Sequence, residues 1–177
     1  ILQLGNIGKE DFSEEAYFDV IRKKTAALFK ASSQSGAVSV GAVQEEVMKA
    51  GLLGEMIGIA FQIKDDIFDY FESPELGKPT GNDMLEGKLT LPALYVLSQT
   101  GDDSLKQTAL KIRSLEASKE EIASFVETVK ERGGIEYATR MMYEFRDKAL
   151  ALVPASADSS LKEALTAYID YVIERNK

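Results

Sequence analysis

The sequence predicts an all-α protein, and three observations carry that prediction. Only four prolines interrupt 177 residues, at positions 74, 79, 92 and 154. Between the turn signals, apolar residues recur at three- and four-residue spacing rather than in alternation, the period of a helix with one buried face. The breakers that do occur are clustered in short runs such as PELGKPTGND and the Gly133–Gly134 pair, where helices stop.

Taken in order, Asp11 or Ser13 can cap a first helix running to about Gln34, with Phe18, Ile21, Thr25, Leu28 and Ser32 on one stripe facing a partner helix. The small-residue run SSQSGAVSVGA separates it from a second helical region, about Val43 to Phe71, with breaks expected near Gly51 or Gly54. Gly51, Gly54 and Gly58 also have the spacing that lets helices approach closely. A loop is expected from Glu72 to about Met84, long and polar enough to carry function. Further helices are expected at about 87–99, 102–116, 118–132, 134–152 and 157–175. No repeat or linker divides the chain, so it reads as one domain's worth of sequence, 45% hydrophobic and long enough to bury a core.

Composition limits the chemistry. There is no cysteine and no histidine, which excludes disulfides, thiolate metal sites and imidazole as base or ligand; any metal must be a hard ion held by oxygen. With 21 basic and 29 acidic residues, a formal charge of −8, nucleic acid is not expected as a partner. No uninterrupted apolar run is long enough for a transmembrane helix and the N-terminus lacks a secretory signal pattern, so a cytoplasmic protein is expected.

The most informative stretch is FQIKDDIFDY, Phe61 to Tyr70. At about 100° per residue from Asp65, Asp69 falls at about 40°, Gln62 at about 60° and Asp66 at about 100°, so the four polar groups share one face. Ile63, Ile67, Tyr70 and Phe71 occupy the opposite side, and Phe61 and Phe68 flank the acidic stripe. Such a helix is too apolar to lie on the surface, and isolated charges in a dry core would each cost several kcal/mol. Three carboxylates there are expected to line a cavity that holds water or cations. Carboxylates spaced one and four apart suit Mg²⁺, which takes one or two protein carboxylates and completes its shell with waters and phosphate oxygens.

These residues resemble a known family. GEMIGIAFQIKDDIFDYFESPELGKPTGNDMLEGKLTLPAL is similar to the second aspartate-rich region of trans-isoprenyl diphosphate synthases, with the Phe-Gln pair before DDxxD, the GK-x-x-GxD loop after it and the EGKxTLP start of the next helix. SEEAYFDVIRKKTAALFKAS resembles the family's helix with a Lys-Thr pair, and GGIEYATRMMYEFRDKALALV and YVIERNK resemble its last helices. The resemblance spans essentially the whole chain, yet only the later part of the family's sequence is present. The first aspartate-rich motif, the Arg-Arg pair and the early basic residues that hold isopentenyl diphosphate are absent. The resemblance thus implies the later helices of an isoprenoid synthase-type bundle, residues 1–177 being the C-terminal portion of a single all-α domain.

The function implied is Mg²⁺-dependent 1'-4 condensation of an allylic diphosphate with isopentenyl diphosphate, giving a longer trans-polyprenyl diphosphate, with this chain alone inactive and the intact protein a homodimer. Carried across by motif, Asp65 is a direct metal ligand, with Asp66 and Asp69 binding metal or its waters. Lys24 and Lys78 contact the allylic diphosphate, Thr25 and Gln62 lie near the reacting carbon, and Phe61 packs beside isopentenyl diphosphate. Asp83 and Lys88 match the motif without an assigned role. Two alternatives stay open at this point: a non-catalytic subunit of a heteromeric prenyl synthase, and an all-α terpene cyclase.

Overall fold

In the computed structural model, which describes residues 12–71 and 80–174, all regular structure among the described residues is helical. The elements are α1 (Glu14–Ile21), a π-helical turn (Arg22–Ala26), α2 (Ala27–Ser39), α3 (Gln44–Phe68), the short α4 (Asn82–Leu85), α5 (Leu91–Gln99), α6 (Asp103–Arg113), α7 (Lys119–Glu131), α8 (Gly134–Ala151) and α9 (Ser159–Glu174). None of the helices among the described residues is long and apolar enough to cross a membrane.

The described chain falls into two compact units. One takes in residues 12–20 and 65–139, the other residues 21–64 and 140–174. The core of the first is built on Tyr70, Met84, Val96, Leu97, Leu105, Ile112, Ile122, Phe125, Val126 and Val129, all buried. Its helices begin where side chains satisfy the free backbone amides. The Asp102 carboxylate accepts from Leu105 N at 3.1 Å and opens α6. Ser118 and Glu121 form a reciprocal pair that opens α7, with Glu121 N donating to Ser118 Oγ at 3.2 Å and Ser118 N to Glu121 Oε2 at 2.8 Å, a cap that contributes about 1 kcal/mol.

In the second unit the pairing of α2 with α3 depends on glycine. A methyl group at Gly54 would lie 2.5 Å from the Phe29 carbonyl oxygen, and one at Gly58 would lie 2.7 Å from Ala26 Cα. Neither Gly51 nor Gly54 breaks α3, contrary to the expected interruption; Gly54 and Gly58 are where the facing backbone comes closest, and the Gln34 side chain fills the space beside Gly51. Glu55 bridges the same pair, accepting from Lys30 Nζ at 2.8 Å.

Two sequence expectations change here. The first helical stretch runs on to Ser39 instead of stopping near Gln34, because the small residues of SSQSGAVS remain helical. Its predicted stripe also slips. The turn at Arg22–Ala26 is π-helical, so one extra residue enters the period: after Tyr17 and Ile21 the next buried position is Ala26, and Leu28 is 70% exposed.

Candidate active site

The aspartate segment lies at the end of α3 and the turn beyond it. Ile63, Ile67 and Tyr70 are buried as the periodicity predicts, whereas Phe71 is 48% exposed, with the Lys130 ammonium 5.2 Å from its ring centre. Phe71 follows the end of α3, so the helical angle assigned to it no longer applies.

The three carboxylates have different surroundings. Asp66 is 4% exposed and Tyr17, in α1, is 8% exposed; the Tyr17 hydroxyl donates to Asp66 Oδ2 at 2.6 Å. Burial, then the Asp66 charge and the hydrogen bond to it, pushes the Tyr17 phenol well above its ordinary value, so it is a neutral donor. This is how a carboxylate sits among apolar groups here: a charge-assisted hydrogen bond offsets part of its desolvation. The expectation that all three carboxylates line a cavity does not extend to Asp66.

Asp69 is half-buried and serves the chain that returns at Gly81. Its carbonyl accepts from Gly81 N at 2.8 Å, and its two carboxylate oxygens accept from Asn82 N at 3.1 Å and Asp83 N at 3.0 Å. Those amides open α4, where a negative charge is favourable. Gly81 has φ of +77°, which only glycine adopts without strain, and a methyl there would meet Ile122 Cγ2 at 2.9 Å. Asp65, also half-buried, immediately precedes Asp66 and lies one helical turn before Asp69.

Asp83 and Lys88 lie in the same unit. Lys88 Nζ pairs with Asp83 Oδ1 at 3.5 Å and also with Glu86. Lys78 lies outside the described residues.

In the second unit, Lys24 and Thr25 sit on the π-helical turn, a distortion that recurs at functional sites. Lys24 is exposed. The Thr25 hydroxyl donates to Gln62 Oε1 at 2.6 Å, joining residues 37 apart. Thr25 thus has a side-chain partner, where an apolar-stripe threonine ordinarily bonds its own backbone. Phe61, next to Gln62, packs on Phe29 with ring centres 5.3 Å apart.

The structure therefore brings together Thr25 with Gln62, and Asp66 with Tyr17. Sequence reading missed Tyr17, which looks like one more apolar residue near a stripe; its partner is 49 residues away, beyond any spacing rule. The π-helical turn was likewise not legible in RKKTA.

The donor set suits a hard cation only in part. Among the described residues no group of three acidic side chains converges to hold a metal. An ion here would take one or two carboxylates and complete its shell elsewhere, as Mg²⁺ does with water and phosphate oxygens.

Comparison with known proteins gives the family. The profile of the polyprenyl synthetase family matches residues 1–129. A geranylgeranyl pyrophosphate synthase from Bacteroides thetaiotaomicron is 56% identical, superposes with a TM-score of 0.93, and is matched over 98% of this chain and 58% of its own. A polyprenyl synthase from Caulobacter crescentus CB15, solved with calcium and isoprenyl diphosphate, is 31% identical with a TM-score of 0.87, over 99% of this chain and 54% of its own. A short chain isoprenyl diphosphate synthase from Methanothermobacter thermautotrophicus is 33% identical over 98% of this chain and 53% of its own length. The chain spans about half the length of these relatives, and across that half the fold is the all-α fold of prenyl synthases. This chain belongs to the polyprenyl synthetase family.

Proposed function

We propose that the protein carrying this chain is a trans-prenyltransferase, joining an allylic diphosphate to isopentenyl diphosphate by 1'-4 condensation and releasing a longer trans-polyprenyl diphosphate. The observation that carries this reading is the arrangement at the end of α3. Asp66 is held by a buried phenol and Asp69 by two backbone amides, and Asp65, next to the first and one turn from the second, is half-buried. A carboxylate on a helical turn whose neighbouring carboxylates are fixed starts from a held backbone, and preorganisation of this kind is what metal-assisted ionisation requires.

In this reading Asp65 holds Mg²⁺ directly, and Asp66 and Asp69 act on the ion through its waters and by fixing the backbone that carries Asp65. When bound, the ion neutralises charge that builds on the departing diphosphate. Lys24 binds the same anion as an exposed ammonium, with Lys78 assigned a like role by its motif. Thr25 and Gln62 hold one another at 2.6 Å and present polar oxygen near the reacting carbon. Phe61 supplies an apolar wall for isopentenyl diphosphate, and with its neighbours limits the water that would quench an allylic cation. The proton lost after coupling goes to a diphosphate oxygen. The same reading makes the enzyme a cytoplasmic homodimer, with residues 1–177 the C-terminal portion of one catalytic domain. It expects little turnover from these residues alone, since they contain one aspartate-rich motif.

The test is direct. The intact protein is incubated with labelled isopentenyl diphosphate, an allylic diphosphate and Mg²⁺, and products are resolved by chain length. Elongated product that disappears when EDTA removes the metal is expected; a metal-replete protein that forms none overturns the reading.

A further inference from the structure

Resting on the reading that Asp65 holds the cation, we propose that Tyr17 is a positioning residue for the metal site, fixing the buried Asp66 carboxylate and through it the last turn of α3 that carries Asp65. The hydroxyl is well placed for this. It donates to Asp66 Oδ2 at 2.6 Å, and both side chains are more than nine-tenths buried, so little water competes for either. A carboxylate removed from water has few ways to meet its hydrogen-bonding demand. A short bond from a strong, buried donor therefore helps to fix which way it turns.

The donor is itself held. The Tyr17 ring packs edge-on against Phe18 with centres 5.3 Å apart. One turn earlier, Glu14 accepts from the Tyr137 hydroxyl at 2.7 Å, which ties α1 to α8. At the helix start, Ser13 Oγ accepts from Ala16 N at 3.3 Å. A phenol has few rotatable bonds, and this one is anchored at its ring and along its helix. The hydrogen bond thus transmits a fixed position from α1 to the residue next to Asp65. Such partners of ligand-bearing groups orient the ligands and tune affinity, and their loss typically costs on the order of 10- to 100-fold in metal binding.

The experiment measures Mn²⁺ binding by electron paramagnetic resonance, on the intact protein with saturating inorganic diphosphate. It compares wild type, Tyr17→Phe, Asp66→Asn and the double variant, with melting temperatures recorded for each. Tyr17→Phe is expected to weaken Mn²⁺ binding on the order of 10-fold. In the Asp66→Asn background the same change should have no further effect, because the tyrosine acts through the carboxylate. A folded Tyr17→Phe protein with wild-type Mn²⁺ affinity overturns the proposal, as does an equal loss in both backgrounds. Should Tyr17→Phe alone fail to fold, the double variant, which carries no stranded charge, is compared with Asp66→Asn; equal Mn²⁺ affinity supports the proposal and a further loss refutes it. If wild type binds no Mn²⁺ with diphosphate, the prenyl-transfer reading falls and this proposal with it. Wild-type binding that Tyr17→Phe leaves intact removes only the role of Tyr17.

Discussion

At the end of α3, Asp66 receives a buried phenol at 2.6 Å and Asp69 receives two amides at 3.1 and 3.0 Å. On the π-helical turn, Lys24 is exposed and the hydroxyl of its neighbour Thr25 donates to Gln62 Oε1 at 2.6 Å. On the proposed function, the contrast fits what each region would bind. Mg²⁺ gives up water reluctantly and demands near-ideal octahedral geometry, so its ligands are useful only when held. A diphosphate is large and multiply charged, and a lysine can meet it as a point charge on a flexible stem. Held carboxylates and an exposed ammonium would then be two solutions for two kinds of ion.

The largest test of that contrast is Asp65→Ala in the intact protein. If Asp65 holds the cation as proposed, its loss should lower prenyl transfer by on the order of 10²- to 10³-fold, while Asp66 and Asp69 keep the bonds described above. Near-normal turnover would mean that the cation is held without Asp65. Lys24→Ala should cost less, about 10- to 100-fold, the worth of one hydrogen bond to a charged group. Its stability should stay within about 0.5 kcal/mol of wild type, as for other exposed positions. A Lys24→Ala protein that melts much earlier than wild type would show that the lysine supports the fold.

Helix existence was legible in the sequence wherever local chemistry decides it. α6 and α7 begin within a residue of the expected starts at about 102 and 118, because the caps that start them are contacts between residues three apart. The acidic face of α3 was legible too, since 3.6-residue periodicity needs no knowledge of what lies opposite. What failed was everything set by a distant partner. Gly51 and Gly54 read as breaks because glycine lowers helix propensity, yet another helix fills their space, with the Gln34 side chain at Gly51 and the Phe29 carbonyl at Gly54. Leu28 was placed inward by a period that the π-helical turn shifts by one residue. Asp66 was assigned to a wet cavity because Tyr17, the donor that makes its burial tolerable, stands 49 residues earlier.

The glycines allow a test on the lysine-threonine side that involves no ion. Gly58→Ala places a methyl 2.7 Å from Ala26 Cα and 3.1 Å from Phe29 Cβ. Backbone cannot yield as a flexible side chain does, so the variant should lose about 1–3 kcal/mol. Gly36 is also helical, but a methyl there meets nothing within 4 Å. Gly36→Ala should therefore gain about 0.4–1 kcal/mol by restricting the unfolded chain. Urea denaturation of both variants measures the two signs. If Gly58→Ala were neutral, the close packing next to the π-helical turn would not be what holds that turn in place.

The smallest expected effect separates the two roles of Thr25. Its hydroxyl donates to Gln62 Oε1 at 2.6 Å, and a net contribution of about 0.5–1.5 kcal/mol is ordinary for such a bond. Thr25→Val keeps the β-branch that suits the site and removes the donor, so it should lose about that much in urea denaturation. Thr25→Ser keeps the donor and removes a methyl, so any loss it shows is packing. If the hydroxyl's task is to orient Gln62, prenyl transfer should follow it: retained in Thr25→Ser and reduced in Thr25→Val. If turnover instead survives in the valine variant while stability falls, the 2.6 Å bond is a tie between two helices that happens to lie beside Lys24. The functional part of the π-helical turn would then be the lysine alone.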